Sequence, residues 1–243
     1  MDESTVSTLV ATVQLISTTL DSNPHGWRDQ LHVIRGITAS LEILDTAPDD
    51  ARKRWQLPLV TVFQRVAFVD ADNGGVPDIA DWCLRQSLAL LHLYPDDVDI
   101  LALIGQNWLL RAQKSLAKIH QEERSSSGSG SGVSQGHPLS RSEEQREVNR
   151  ATLQAEDRLH SADYVEARGI LLPATEYLQR AVNAAQQQEA TTGTLYATAA
   201  EAFMSLGNVS SVRVNDRYFH EALGYLRAAD EIPNYTLPSH LQQ

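Results

Sequence analysis

The sequence of 243 residues has little cysteine, few basic residues and no long apolar run. Its single cysteine, Cys83, excludes a disulfide framework and any zinc or iron–sulfur site built on several cysteines. Lys and Arg number 20 against 31 Asp and Glu, and a net charge of −11 argues against a nucleic-acid binder. No stretch approaches the roughly 20 apolar residues that cross a bilayer, and the acidic N-terminus does not resemble a secretory signal. We therefore expect a cytoplasmic or nuclear protein that binds neither nucleic acid nor membrane.

Apolar residues recur at steps of three and four along most of the chain, which predicts an all-α fold. Helices are expected over about 3–21, 27–44, 58–69, 78–94 and 98–123, and then over about 143–162, 165–188, 192–206 and 216–230. Pro58 suits the first turn of the third helix. Residues 209–214 alternate in polarity, but a lone short strand would have no partner. The four tryptophans, Trp27, Trp55, Trp82 and Trp108, are expected to be core anchors, or in part anchors for a partner.

A Ser/Gly-rich tract at residues 125–141 interrupts this pattern and has too few apolar residues to form a core. It divides the chain into residues 1–124, the tract itself, and residues 142–243 with their Pro-containing tail. The tract is either a linker between two domains or a flexible, disordered insertion within one array. We favour the insertion, because loop-closure entropy rises slowly with length and the long helices before and after the tract could pair antiparallel.

The helix that follows Pro95 carries a spacing typical of closely packed helical hairpins. Leu101 precedes the pair Ile104 and Gly105 by three residues, and Trp108 follows by three. The glycine allows two helices to approach, and the large residues on either side fill the space between successive helices. A related pattern recurs in the second half of the chain, as Ala174, Leu178 and Ala181; as Ala200, Phe203 and Gly207; and as Ala222, Leu226 and Ala229.

These segments resemble the tetratricopeptide repeat family, over about half of the chain and on an irregular period. The resemblance implies antiparallel helical hairpins stacked in a right-handed array. The first 75 residues carry helices without a recognisable repeat signature. The alternative is a generic helical bundle, since close-packed helices also favour alanine and glycine at their contacts.

The resemblance also implies a concave groove, lined by the first helix of each repeat, that holds a peptide or a helix of a partner protein. The lysine, arginine and asparagine clamp of chaperone-binding members is missing, and Glu201 would repel a carboxylate. Such a groove better suits an amphipathic helix or a peptide with basic flanks. For Leu109 and Leu110, a core position is an equal alternative. The residues mapped to the groove are Asp99, Ala102, Gln106, Leu109 and Leu110, with Thr194, Ala197, Glu201, Met204 and Ser205.

Residues that could perform chemistry are scattered. Residues 70–75 begin like a calcium loop with Asp81 as its closing acid, but Gly74 replaces an oxygen ligand and Pro77 disturbs the pairing segment. A turn between helices explains them better. Cys83 has no evident base partner and is expected to be a small buried side chain. We expect no cofactor, no metal and no catalytic residue.

Three functions remain as hypotheses. The first is a noncatalytic scaffold or adaptor subunit that binds a protein partner. The second is a self-associating subunit, because the last helix exposes Leu226 and Ala229 and the tail carries Leu237 and Leu241, which predicts a dimer or docking through the C-terminal end. The third is an enzyme whose site is assembled from distant residues.

Overall fold

The computed structural model describes residues 3–43, 50–128, 145–146 and 156–242. This part of the chain contains eight α-helices of 16 or more residues and no β-strand, so the all-α prediction is confirmed. None of these helices is both long enough and apolar enough to cross a lipid bilayer. The helices are α1 (Glu3–Ser22), α2 (Trp27–Ile43), α3 (Asp50–Ala67), α4 (Pro77–Leu93), α5 (Val98–Gly128), α6 (Ala162–Gln187), α7 (Gly193–Asn208) and α8 (Val212–Asp230).

Three expected boundaries are wrong. Helix α5 ends at Gly128, five residues after its expected end, and so includes the first four residues of the tract that was expected to be flexible; residues 129–141 of that tract lie outside the described residues. Helix α3 begins at Asp50, so Pro58 lies inside it and not in its first turn. The helix extends further back because Trp55 and Leu57, ahead of the proline, already pack against the core. Helix α8 begins at Val212, four residues before the expected start, and takes up part of the alternating stretch. Most of the helix expected over 143–162 lies outside the described residues. Within that range, residues 145–146 and 156–158 are described as helical.

Consecutive helices from α3 to α8 form three antiparallel hairpins, α3/α4, α5/α6 and α7/α8. In each hairpin, positions further along the first helix meet positions earlier in the second, as in an antiparallel pair. The most extensive packing in the described chain joins α5 to α6. The pairs that define this register are Phe63 with Trp82, Gly105 with Leu178, Ser115 with Glu166, and Phe203 with both Tyr218 and Tyr225.

The hairpins pack on one another in chain order. Helix α4 contacts α5, α6 contacts α7, and α1 and α2 cover α3 and α4. One hydrophobic cluster, around the buried Phe63, joins α1 to α4 and reaches α5 at Leu103. A second cluster, around Leu171 and Leu178, joins α5 to α8 and therefore includes residues on both sides of the Ser/Gly-rich tract.

Helices α5 and α6 approach most closely at Gly105. A Cβ atom added there would lie 2.6 Å from Leu178 Cγ and 3.1 Å from the Leu178 backbone nitrogen, so a side chain at this position would force the two helices apart. Leu178 is itself fully buried. The glycine therefore sets the distance between the two helices of the central hairpin.

A buried polar network ties α5 to α3 and α4. Asn107, which is fully buried, donates from Nδ2 to Gln64 Oε1 at 2.7 Å and to the Ala80 carbonyl at 3.3 Å. Gln64 Nε2 donates to the Leu103 carbonyl, and Arg111 Nε donates to Asn107 Oδ1 at 2.7 Å. The oxygen and the nitrogen of both buried amides, Asn107 and Gln64, therefore each have at least one hydrogen-bond partner inside the protein.

We predict that Gly105→Ala destabilises the protein by about 1–3 kcal/mol, because the added methyl group overpacks the α5/α6 contact. The matched control is Gly169→Ala in α6, where an added Cβ meets nothing within 4 Å. There the higher helix propensity of alanine should stabilise the protein by up to about 1 kcal/mol. Urea unfolding followed by circular dichroism measures both, and equal effects of the two substitutions would contradict the close contact.

We also predict that Asn107→Leu lowers the free energy of unfolding by about 2–4 kcal/mol. The substitution leaves Gln64 Oε1 and Arg111 Nε without their partners inside the protein. Gln121→Leu, at an exposed position of the same helix, should change stability by less than about 0.5 kcal/mol. A small effect at Asn107 in urea unfolding would mean that the network does not contribute to stability.

Candidate functional site

The exposed face of α5 forms the floor of a groove between α3 and α7, which we call the α5 groove. Two pockets open on this face and share the exposed side chain of Gln106. The pocket toward α7 has a volume of about 200 Å³ and that toward α3 about 360 Å³. Asp99, Ala102 and Gln106 of α5 with Thr194 and Thr198 of α7 line the first, and Thr61, Gln64, Arg65, Phe68, Val69 and Leu110 complete the second around Gln106.

A third pocket, of about 490 Å³, continues the groove toward the C-terminal part of α5. Its side chains carry both signs of charge and several amide or hydroxyl groups. Burial raises the pKa of the Glu201 carboxyl, and nearby His240 opposes that shift. The pocket is lined by Asp72, Gln113, Leu116, Ala117, His120, Gln121, Arg124, Glu201 and Ser205.

The groove residues expected from the sequence divide into two sets. Asp99, Ala102, Gln106, Leu110, Thr194, Glu201 and Ser205 line the three pockets. Leu109 is only 2% exposed and belongs to the core cluster of α5–α8, which is the alternative that the sequence left open. Ala197 is buried, and Met204 packs on the small cluster formed by Ala200, Phe203 and Ala222.

The residues expected at helix contacts lie in the core or against it. Leu101, Ala200, Ala222 and Ala229 are fully or almost fully buried, and Phe203 is nearly so. Trp108 and Leu226 are half-buried against the core clusters, with Arg111 above the Trp108 ring. Gly207 lies under Phe219, whose Cε1 would be 2.7 Å from an added Cβ.

The C-terminal segment, which we define as residues 232–242, folds back along α7. The Tyr235 ring lies on Gly193 at the start of α7, and His240 is close enough to Glu201 to affect its pKa. Gly193, Ala197 and Glu201 are spaced four residues apart and so share one face of the helix. Leu241 is buried and Leu237 packs against the core cluster, so the chain itself covers two of the apolar residues from which a dimer was expected.

Residues 70–75, considered as a calcium loop, form the turn between α3 and α4. The Asp70 carboxylate accepts a hydrogen bond from Asn73, and Asp81 pairs with Arg111 at 2.7 Å, so each of the two acids has a partner within the protein. Gly75, with a φ of 62°, brings its backbone against the Ala67 carbonyl. Across the described residues, no group of three or more His, Cys, Asp or Glu side chains is placed to hold a metal ion.

Cys83 is buried in α4, where its thiol points at the Val60 carbonyl. Burial raises the pKa of this thiol well above its usual range. The neutral form is therefore the one present at neutral pH, which is the opposite of what a nucleophilic cysteine needs.

Sequence reasoning missed two parts of this surface. The contribution of α3, through Thr61, Arg65 and Phe68, has no repeat signature in the sequence that could have indicated it. The contact of Tyr235 with Gly193 joins positions 42 residues apart, so no local period reveals it. The one available signal was the apolar pattern of the tail, with Ile232, Tyr235, Leu237 and Leu241.

We predict that Glu201→Gln raises the thermal stability at pH 7. The folded-state pKa of Glu201 lies above its unfolded value, so the charged carboxylate opposes folding once the pH rises through that folded pKa. At pH 4 the carboxyl is largely protonated in both states, and the gain should disappear. Glu176→Gln on the exposed face of α6 is the control and should have little effect at either pH. Thermal unfolding at the two pH values measures the difference, and a gain of the same size at pH 4 would contradict this reasoning.

Comparison of the chain with protein-family models, with curated proteins and with solved structures gives no match.

Proposed function

We propose that the protein is a noncatalytic interaction scaffold whose α5 groove binds a peptide or helix of a partner protein. The observation that carries the proposal is the parallel arrangement of α3, α5 and α7, the first helices of three successive hairpins, around a row of pockets. Gln64 of α3 reaches the Leu103 carbonyl of α5, and Asp99 of α5 and Thr194 of α7 share a pocket wall. In this proposal the hairpins are a right-handed, tetratricopeptide-like array that includes α3 and α4.

The side chains of the groove support a polypeptide ligand. Amide and hydroxyl groups recur along its length at Gln106, Gln113, Gln121, Thr194 and Thr198. Such groups can donate to and accept from the backbone of a bound segment. The small apolar side chains between them, Ala102 and Ala117, leave room for the ligand's own side chains.

The charges of the groove favour a partner segment with basic residues at one flank. Asp99 lines the pocket nearest the start of α5. The other residues that line this pocket are neutral, so Asp99 is the only charged side chain in its wall. The second pocket is lined by Arg65 of α3, and the third by Arg124 and His120 of α5 beside Asp72 and Glu201. A lysine or arginine of the partner is therefore attracted to the Asp99 end, where no cation of the pocket wall opposes it.

The test is a selection of peptides from a random display library on the immobilised full-length protein, followed by measurement of their affinity in solution. Gln106 is the side chain to change, because it lines two pockets at once. We predict that Gln106→Arg weakens the selected peptides at least tenfold, since the long cationic side chain occupies both pockets and repels a basic flank.

The matched control is Asn183→Arg, which exchanges another exposed amide for arginine on α6, the second helix of its hairpin. This variant adds the same charge and should bind the peptides as the unmodified protein does. Selection of no peptides, or equal weakening by the two arginines, would overturn the proposal. Thermal unfolding shows that both variants are folded.

A further inference from the structure

The C-terminal segment is bound to α7 almost as a separate ligand would be. After α8 ends, a turn that includes Asn234 in the left-handed region, with a φ of 63°, directs the chain back along the helix. From Tyr235 onward, the hydrogen bonds in the described residues remain within residues 232–242, such as Leu241 to the Pro238 carbonyl and Gln242 to the Leu237 carbonyl. Apolar contacts therefore hold the part of the segment from Tyr235 onward. Among the described residues, detachment of that part would break no hydrogen bond to the rest of the protein.

Tyr235 is the anchor of the segment. A Cβ atom at Gly193 would lie 2.1 Å from Tyr235 Cγ and 2.2 Å from Cδ1, so the ring lies directly on the glycine. Gly193 opens α7 after the Thr192 cap, and its φ is not in the left-handed region that favours glycine. Glycine at this position therefore leaves room for the Tyr235 ring and is not required by the backbone conformation.

Further contacts follow along the segment. Leu237 and Ile232 pack against the main core cluster, and Leu241 is 7% exposed. His240 lies near Glu201, two turns beyond Gly193. The surface under the segment thus offers a flat aromatic site, an apolar site for the residue two positions later, and a carboxylate near the far end.

We propose that this face of α7 is a peptide-binding site for a segment with an aromatic anchor, and that residues 232–242 occupy it as an exchangeable intramolecular ligand. The site binds the same segment supplied as a separate peptide once the contacts of the chain's own segment are weakened. A short turn tethers the intramolecular ligand, which gives it an effective concentration on the order of millimolar and suppresses competitors in the unmodified protein. This proposal does not depend on the α5 groove binding a partner.

The test uses the full-length chain and a fluorescein-labelled peptide of residues 231–243, with binding followed by fluorescence anisotropy. The chain with Tyr235→Ala should bind the peptide at least tenfold more tightly than the unmodified chain, because its own segment has lost the anchor. Thr236→Ala, next to the anchor and exposed, is the matched control and should leave binding as in the unmodified chain.

Two further variants locate the binding. The peptide carrying Tyr235→Ala should not bind, and Gly193→Leu combined with Tyr235→Ala in the chain should abolish binding, because the leucine fills the aromatic site. Equal peptide binding by the unmodified and Tyr235→Ala chains, or binding that persists with Gly193→Leu, would overturn the proposal.

Native-state proteolysis of the unmodified chain gives a readout that does not depend on how well a variant folds. Chymotrypsin should cut after Tyr235 at a rate that stays constant with urea below the unfolding transition, because the segment leaves by local detachment. A cleavage rate that rises with urea in proportion to global unfolding would show that the segment is not exchangeable and would also overturn the proposal.

Discussion

Three consecutive residues of α5 determine how the hairpins meet. An α-helix turns by about 100° per residue, so neighbours in sequence face different directions. Gly105 faces Leu178 and lets α6 approach, Gln106 faces the groove, and Asn107 faces Gln64 and the Ala80 carbonyl in the first hairpin. The central helix is thus fixed on one side by the absence of a side chain and on another by a polar side chain with several partners. The groove lies on the side between them that remains open.

The two contacts differ in how they specify geometry. The Gly105 contact is set by shape, since any larger residue would overlap Leu178, and it fixes the distance between α5 and α6. The Asn107 contact is set by direction, since an amide donates and accepts only along certain lines, and it fixes the rotation of α5 relative to α3 and α4. A shift of α3 or α4 along α5 would leave a buried polar group unpaired. The cost of that unpaired group opposes sliding of the first hairpin along α5.

The sequence predicts the class of fold well because the apolar period of the helices is strong, and it predicts Gly105 because a glycine between Leu101 and Trp108 is a recognisable pattern. It does not predict the role of Asn107 or Gln64, because a polar side chain in a helical pattern resembles a solvent-facing one until its partners are known. It also misses the contribution of α3, where Pro58 suggests a helix start that lies eight residues earlier at Asp50. Contacts between distant positions, such as Tyr235 with Gly193, leave no trace in a local period.

Helix α7 lies between the α5 groove and the C-terminal segment, and Glu201 contributes to both surfaces. Its carboxyl lines the third pocket of the α5 groove and also lies near His240 of the C-terminal segment. A cationic ligand that pairs with Glu201 in that pocket would oppose a protonated His240 nearby, so under conditions where His240 carries a proton the ligand and the segment would weaken each other. Binding free energies are reciprocal, and release of the segment must then strengthen the ligand by the same factor by which the ligand weakens the segment. The size of this coupling is limited by what one half-buried carboxylate can contribute, since no hydrogen bond to the rest of the protein holds the segment from Tyr235 onward in the described residues.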